Sequence, residues 1–119
     1  MPRYVILEHD YPVRHWDFML EAGDVLRTWR LTSEPKMGLV IPVEKSFDHR
    51  LIYLEYEGPI SDGRGSVARW DSGSYQAIVE ENQRLVVRLE GIRLKGEAIL
   101  TWMNQGNGSF DFKESDREF

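Results

Sequence analysis

The chain has 119 residues, of which 41% are hydrophobic and 29% charged, a length and composition that suit a single folded domain over 1–119. The net charge of -5 excludes a protein that coats nucleic acid through a general positive field, and the absence of cysteine excludes disulfides and thiolate metal sites. There is no apolar run of the roughly 20 residues that a membrane helix needs, and the first residues lack the long apolar stretch of a signal peptide, so we expect a cytoplasmic monomer without membrane association.

Apolar residues recur at every second position in short segments, which predicts antiparallel strands. In chain order, the predicted strands are 3–7, 15–20, 25–31, 39–43, 50–56, 67–70, 75–80, 85–89, 98–102 and 110–113. Residues that tolerate turns separate them at 22–24, 57–59, 61–63, 71–73 and 106–108. Because closing a sheet removes its exposed edges, we predict an all-β fold, a compact antiparallel barrel with little helix, with a sandwich as the alternative. Residues 114–119 are expected to form a frayed, charged tail.

The segment HWDFMLE contains the first candidate site. Alternation along a strand places His15, Asp17 and Met19 on one face and the apolar residues between them on the other. His15 and Asp17 are then about 6 to 7 Å apart along the strand and can converge on one ion. His9 lies six positions before His15, across a turn, and joins them if the two strands are neighbours. These three residues are the candidate metal ligands.

The third histidine lies in a second candidate segment. Alternation places His49 and Tyr53 on a common face, where they would form an acid/base or phosphate-binding pair. The tryptophans at 16, 29, 70 and 102 are expected in the core, and stacking on a nucleobase is a second, less favoured role for one of them.

Several motifs occur together in a characteristic order. They are His9-x5-His15-x-Asp17-Phe18-x-Leu20-Glu21, Gly23-x-Val25-Leu26-x-x-Trp29, His49-x3-Tyr53, Tyr56-Glu57-Gly58 and Trp70-Asp71-x-Gly73-x-Tyr75. In these motifs the chain resembles the 3′-phosphoesterase module of bacterial DNA ligase D, over roughly residues 3 to 76.

The resemblance implies a β-barrel enzyme that repairs DNA 3′ ends. It would trim a terminal ribonucleoside and remove the remaining 3′-phosphate to leave a 3′-hydroxyl, with Mn²⁺ as cofactor and Zn²⁺ or Co²⁺ as alternatives. It implies that His9, His15 and Asp17 hold the metal and that His49 and Tyr53 contact the scissile phosphate or assist proton transfer. The implied partners are DNA or RNA/DNA 3′ ends and a separate ligase and polymerase of an end-joining system.

Two positions depart from the family pattern. Met19 stands where the family usually has an arginine, and Leu7 stands where it tends to have a glutamine. An arginine clamps phosphate oxygens through paired, charged hydrogen bonds, so its absence calls for a substitute. We predict that Arg27, on the next strand, takes this catalytic role.

Three other interpretations remain open from the sequence. Met19 and Leu7 favour a binding module that recognises a 3′-terminal phosphate without cleaving it. His-x-Asp with a distal histidine also describes a non-haem iron oxygenase. The third alternative is a structural β-domain whose histidines bind nothing.

Overall fold

The computed structural model describes residues 1–114 as ten strands and one short 3-10 helix. The strands are β1 (Arg3–His9), β2 (His15–Ala22), β3 (Val25–Leu31), β4 (Ile41–Lys45), β5 (His49–Arg50), β6 (Gly58–Pro59), β7 (Ser66–Glu81), β8 (Arg84–Gly91), β9 (Lys95–Trp102) and β10 (Asn107–Glu114), and the 3-10 helix is Leu51–Leu54. Eight strands pair in the order β1-β2-β3-β4-β10-β9-β8-β7, and β7 pairs back onto β1 to close the ring. The prediction of an antiparallel β-barrel is therefore confirmed.

The barrel interior is filled by one apolar cluster. Every second side chain of the barrel strands points inward, and the largest fully buried ones include Trp29, Phe18 and Phe110. Burying each such side chain contributes roughly 1.5–3 kcal/mol. The alternation predicted for β2 is confirmed, because Phe18 and Leu20 join this core while Asp17 and Met19 lie on the opposite face.

A second apolar cluster lies on the outer face of β1, β2 and β3. It contains Val5, Leu7, Met19, Leu26, Leu54 and Val67. Leu51, Tyr53, Tyr56 and Ile60 pack against it, so the segment from 51 to 60 covers this side of the barrel. The covered face is the one that carries His15 and Asp17.

The segment predicted as a strand over 50–56 is different in the structure. Its first residue belongs to β5, and the 3-10 helix Leu51–Leu54 follows. Leu51, Tyr53 and Leu54 all pack on the outer cluster. A helical turn places residues three apart on one side, whereas an extended strand would send Leu51 and Leu54 to opposite faces.

The turn predicted at 71–73 is also wrong, because the two strands on either side of it form the single strand β7. Gly73 provides room for the neighbouring strand, since a Cβ there would lie 2.0 Å from the backbone oxygen of Glu90. The buried carboxylate of Asp71 accepts hydrogen bonds from the hydroxyl of Tyr4 and from the backbone N–H groups of residues 92–94. Glycine and aspartate thus serve strand packing here, not chain reversal.

No helix in residues 1–114 is long and apolar enough to cross a membrane. The tail predicted at 114–119 lies outside the described residues except for Glu114, which ends β10.

Candidate metal centre and phosphate pocket

The three predicted metal ligands meet at the loop end of the β1–β2 hairpin, next to the connection of residues 10–14. His9 lies directly opposite His15, and Asp17 lies opposite Leu7 on the same face. Asp17 Oδ2 is 3.8 Å from His9 Nδ1 and 3.3 Å from His15 Nε2, and one ligand atom from each residue lies within 4.8 Å of the others. Ligand atoms that share one ion lie roughly 3 to 4 Å apart, so these residues are close to a metal-binding arrangement.

Backbone carbonyls fix the orientation of both imidazoles. His15 Nδ1 lies 2.8 Å from the carbonyl oxygen of Val13, and His9 Nε2 lies 2.8 Å from that of Arg64. Each of these nitrogens donates its proton to the carbonyl, so the other ring nitrogen, on the side of Asp17, has a lone pair for a metal when the ring is neutral and an N–H when it is protonated. His15 Nε2 is buried and has no hydrogen-bond partner. A divalent ion bound there would give that nitrogen a partner. Two imidazole nitrogens and one carboxylate oxygen fit a metal that prefers nitrogen and oxygen ligands.

The electrostatics of this cluster keep the carboxylate charged. Burial acts to raise the pKa of Asp17, but the adjacent imidazoles of His15 and His9 outweigh it and lower the pKa to about 2. In return, Asp17 raises the pKa of His9, with burial opposing it. Asp17 therefore favours a proton on His9, and a metal ion would compete with that proton for the same place.

His49, in β5, lines the same pocket as His9 and Asp17. Its Nδ1 lies 3.0 Å from the hydroxyl of Thr28 and 3.0 Å from the carbonyl oxygen of Phe47. Thr28 donates its own proton to the carbonyl of Leu26, so its oxygen accepts from His49. The second ring nitrogen, Nε2, makes no hydrogen bond within the described part of the chain. Burial lowers the pKa of His49, and the charge of Asp17 opposes this shift.

Tyr53 is brought beside His49 by the 3-10 helix and not by strand alternation. The two rings meet edge to face with their centroids 5.9 Å apart. Both residues line a pocket of about 390 Å³ together with His9 and Asp17. The predicted pairing of His49 with Tyr53 is therefore present, although the backbone that produces it is not the predicted one.

The predicted phosphate-binding arginine lies on the wrong side of its strand. Arg27 is on the face of β3 that carries Trp29, its guanidinium lies 5.2 Å from that indole ring, and it does not line the pocket. Arg30 has the opposite orientation, lines the pocket and pairs across the sheet with Asp17. Its positive charge acts on His49 and lowers the pKa of that residue. Arg30 thus replaces Arg27 as the candidate phosphate ligand.

The sequence contained a signal for Arg30. Gly23 and Asp24 form a two-residue turn between β2 and β3, which pairs Ala22 with Val25. Moving five residues away from the turn on each strand, from Ala22 to Asp17 and from Val25 to Arg30, places Arg30 opposite Asp17. Arg50 and Arg64 also line the pocket, but Arg50 belongs to the short strand β5 and Arg64 to the loop between β6 and β7, for which the alternation pattern gives no placement.

The pocket is locally positive in an acidic protein. Three arginines, Arg30, Arg50 and Arg64, line it against the two carboxylates of Asp17 and Asp48. Its floor is apolar, because Leu7, Met19 and Val67 line it from below and are buried. Such a site suits an anion that reaches the metal ligands through a positive rim.

Comparison with known proteins assigns the family. The DNA ligase D 3′-phosphoesterase domain matches residues 7–102 of this chain. The multifunctional non-homologous end joining protein LigD of Pseudomonas aeruginosa is 32% identical over 107 residues, which are 79% of this chain and 12% of that protein. The LigD DNA repair protein of Mycobacterium tuberculosis is 34% identical over 113 residues, 85% of this chain and 14% of that protein. The chain thus spans about an eighth of the length of these relatives. It belongs to the DNA ligase D 3′-phosphoesterase domain family.

Proposed function

We propose that this protein is a metal-dependent phosphoesterase that processes the 3′ ends of DNA or RNA/DNA strands during non-homologous end joining. The observation that carries the proposal is the convergence of His9, His15 and Asp17 within 4.8 Å. Two of these ligands, His9 and Asp17, line one pocket with His49 and Arg30. Family membership and the end-joining relatives support the nucleic-acid substrate. The family gives no support to the oxygenase interpretation.

The proposed cofactor is Mn²⁺, with Zn²⁺ or Co²⁺ as alternatives, held by His9, His15 and Asp17. A bound divalent ion polarises a phosphoryl oxygen, orients water and lowers the pKa of that water. Two imidazoles and one carboxylate leave coordination positions free for these ligands. The hydrogen bonds to Val13 and Arg64 hold the imidazoles in the tautomers that ligation needs.

The other pocket residues have separate proposed roles. Arg30 binds a non-bridging phosphate oxygen, because its guanidinium is on the pocket face and forms no ion pair with any carboxylate of residues 1–114. His49 transfers a proton through Nε2, since its Nδ1 is held by Thr28 and Phe47. Tyr53 provides a hydroxyl next to the scissile phosphate.

The proposed reaction consumes one water in each of two steps. In the first, water adds to phosphorus, the bond to the terminal nucleoside oxygen breaks, and that oxygen takes a proton, which releases the nucleoside and leaves a 3′-phosphate. In the second, water adds to the phosphate and the bond to the 3′ oxygen breaks, which releases inorganic phosphate and leaves a 3′-hydroxyl.

The test is an end-processing assay on a primer-template that carries either one terminal ribonucleotide or a 3′-phosphate. We expect conversion to a 3′-hydroxyl with Mn²⁺, none with chelator, and loss of conversion in His15→Ala. Ile92→Ala, a change at an exposed loop residue outside the pocket, serves as the control and should retain activity. Conversion that survives in chelator or in His15→Ala would refute the proposal.

A second candidate is a module that binds the 3′ end and does not cut it. The apolar pocket floor favours it, because Leu7 and Met19 occupy positions where the family pattern has polar side chains. A labelled 3′-phosphorylated end that stays bound yet intact in Mn²⁺ would select this function. The separate ligase and polymerase expected as partners stay a prediction.

A further inference from the structure

Phe47 is an exposed aromatic residue at the edge of the pocket. Its side chain is 75% exposed, and its ring is stacked on the imidazole of His49 with a centroid distance of 4.7 Å and an interplanar angle of 7°. One face of the ring is therefore covered by His49, while the other is open to solvent. An open aromatic face at the edge of a ligand pocket is available to stack on a ring of the bound ligand.

The ring is held in place by the backbone around it. The carbonyl oxygen of Phe47 accepts from His49 Nδ1 at 3.0 Å, and the N–H of Ser46 donates to the carbonyl of Thr28 at 2.9 Å. The segment is thus attached to β3 on both sides of Phe47. A ring held in this way loses little conformational freedom when a ligand stacks on it.

Phe47 also differs from the four tryptophans, for which the sequence left stacking on a base open. Trp29 is buried in the barrel, and Trp16, Trp70 and Trp102 pack against the same core outside the pocket. Phe47, in contrast, lines the pocket that contains Asp17, His49 and Arg30. A phosphate bound among those residues would have its attached nucleoside near the pocket edge.

We propose that Phe47 is a stacking platform for the nucleobase of the terminal nucleoside that lies on the 3′ side of the phosphate bound in the pocket. This is the nucleoside that the first step of the proposed reaction removes. The proposal rests on the proposed function, because it takes the phosphate to bind beside the metal ligands. Aromatic–base stacking tolerates every base, since all four have a π-face. The platform therefore favours ends that carry a nucleoside over ends that carry only a 3′-phosphate, without selecting sequence.

The test uses a duplex with an unpaired 3′-terminal 2-aminopurine ribonucleotide and stopped-flow mixing with the protein and Mn²⁺. Fluorescence is read on binding, before any cleavage. We expect quenching for the wild type and Phe47→Tyr and none for Phe47→Ala, whose affinity for this end falls about tenfold. Affinity for a 3′-phosphate end should be the same in all three proteins. Ile92→Ala, which removes an equally exposed apolar side chain from another loop, should behave as the wild type.

Each outcome separates the platform from the catalytic proposal. Quenching that depends on Phe47 in a protein that cleaves nothing would support the platform and refute hydrolysis. Hydrolysis without quenching would leave the proposed function standing and overturn the platform. An equal loss of affinity for both ends in Phe47→Ala, or no binding of either end by the wild type, would also overturn it.

Discussion

Replacing Arg30 by methionine should reduce turnover and leave the fold intact. Arg30 is half-buried at the surface of β3 and forms no ion pair within the described residues, so its removal leaves no unpaired charge behind. A surface change of this kind alters stability by about 0.5 kcal/mol or less. The whole effect should therefore be seen in catalysis.

The expected loss follows from the place of Arg30 in the pocket. It pairs across the sheet with Asp17, and neighbours of that kind have Cβ atoms about 5 Å apart, so a phosphate at the metal ligands is within reach of its guanidinium. No arginine is present at position 19 to share the task. Removing one preorganised donor to a transition-state oxyanion lowers turnover by about 100- to 1000-fold. We expect a loss of this size in kcat/KM for removal of a 3′-phosphate.

Arg27→Met is the matched control. Arg27 lies on the same strand, three residues earlier, but on the face that carries Trp29 and outside the pocket. It should retain activity within a factor of a few, and both variants should melt within a few degrees of the wild type. If Arg27→Met lost as much activity as Arg30→Met, or if Arg30→Met were fully active, the assignment of the phosphate ligand from strand orientation would be refuted.

Three further predictions concern metal binding, the loop beside the ligands and the barrel. Asp17 raises the pKa of His9 above its ordinary value of 6.5, and a metal needs the neutral ring, so Mn²⁺ affinity should fall as pH drops through that raised pKa. In the metal-free protein the proton on His9 stabilises the fold. This contribution is fully present below pH 6.5 and is lost as pH rises through the raised pKa. Calorimetric titrations with an unchanged affinity from about pH 8 to 5 would contradict histidine ligation. Gly65→Ala should weaken Mn²⁺ binding and lower Tm more than Gly63→Ala does. Both glycines have positive φ, but only at position 65 would a Cβ lie 2.2 Å from the carboxylate of Asp10. Equal shifts in the two variants would show that crowding at Gly65 is unimportant. Asp71→Asn should lower the free energy of unfolding, measured by urea denaturation, by about 3 kcal/mol. The reason is that an amide cannot accept all the hydrogen bonds that the buried carboxylate receives. A change below about 1 kcal/mol would refute the role of Asp71 as a stabilising hydrogen-bond acceptor.

The barrel and the ligand cluster were predictable because both depend on alternation and short turns. The pattern of β2 separates Phe18 from Asp17 by face, and the structure keeps that separation. The place of His9 depends in addition on β1 and β2 being neighbours. The short connection between them makes that pairing favourable, and it brings His9 directly opposite His15.

The rest of the site depends on tertiary packing that alternation does not encode. Residues 51–54 have the apolar composition of a strand, but they pack as a 3-10 turn because the outer cluster accepts side chains three apart. Asp71 and Gly73 resemble a turn in sequence, yet they serve contacts with residues far along the chain. The positions of Arg64 and Phe47 likewise follow from long-range contacts, which no local pattern in the sequence reveals.

The most direct test of the metal centre is equilibrium binding of Mn²⁺ to the wild type, His15→Ala and His49→Ala, followed with 3′-phosphate removal in the same samples. We predict one Mn²⁺ per chain in the wild type, with activity rising as that site fills. His15→Ala should lose both binding and activity, whereas His49→Ala should bind the ion and lose turnover. Undiminished binding by His15→Ala, or activity that does not follow occupancy, would contradict a catalytic metal at His9, His15 and Asp17.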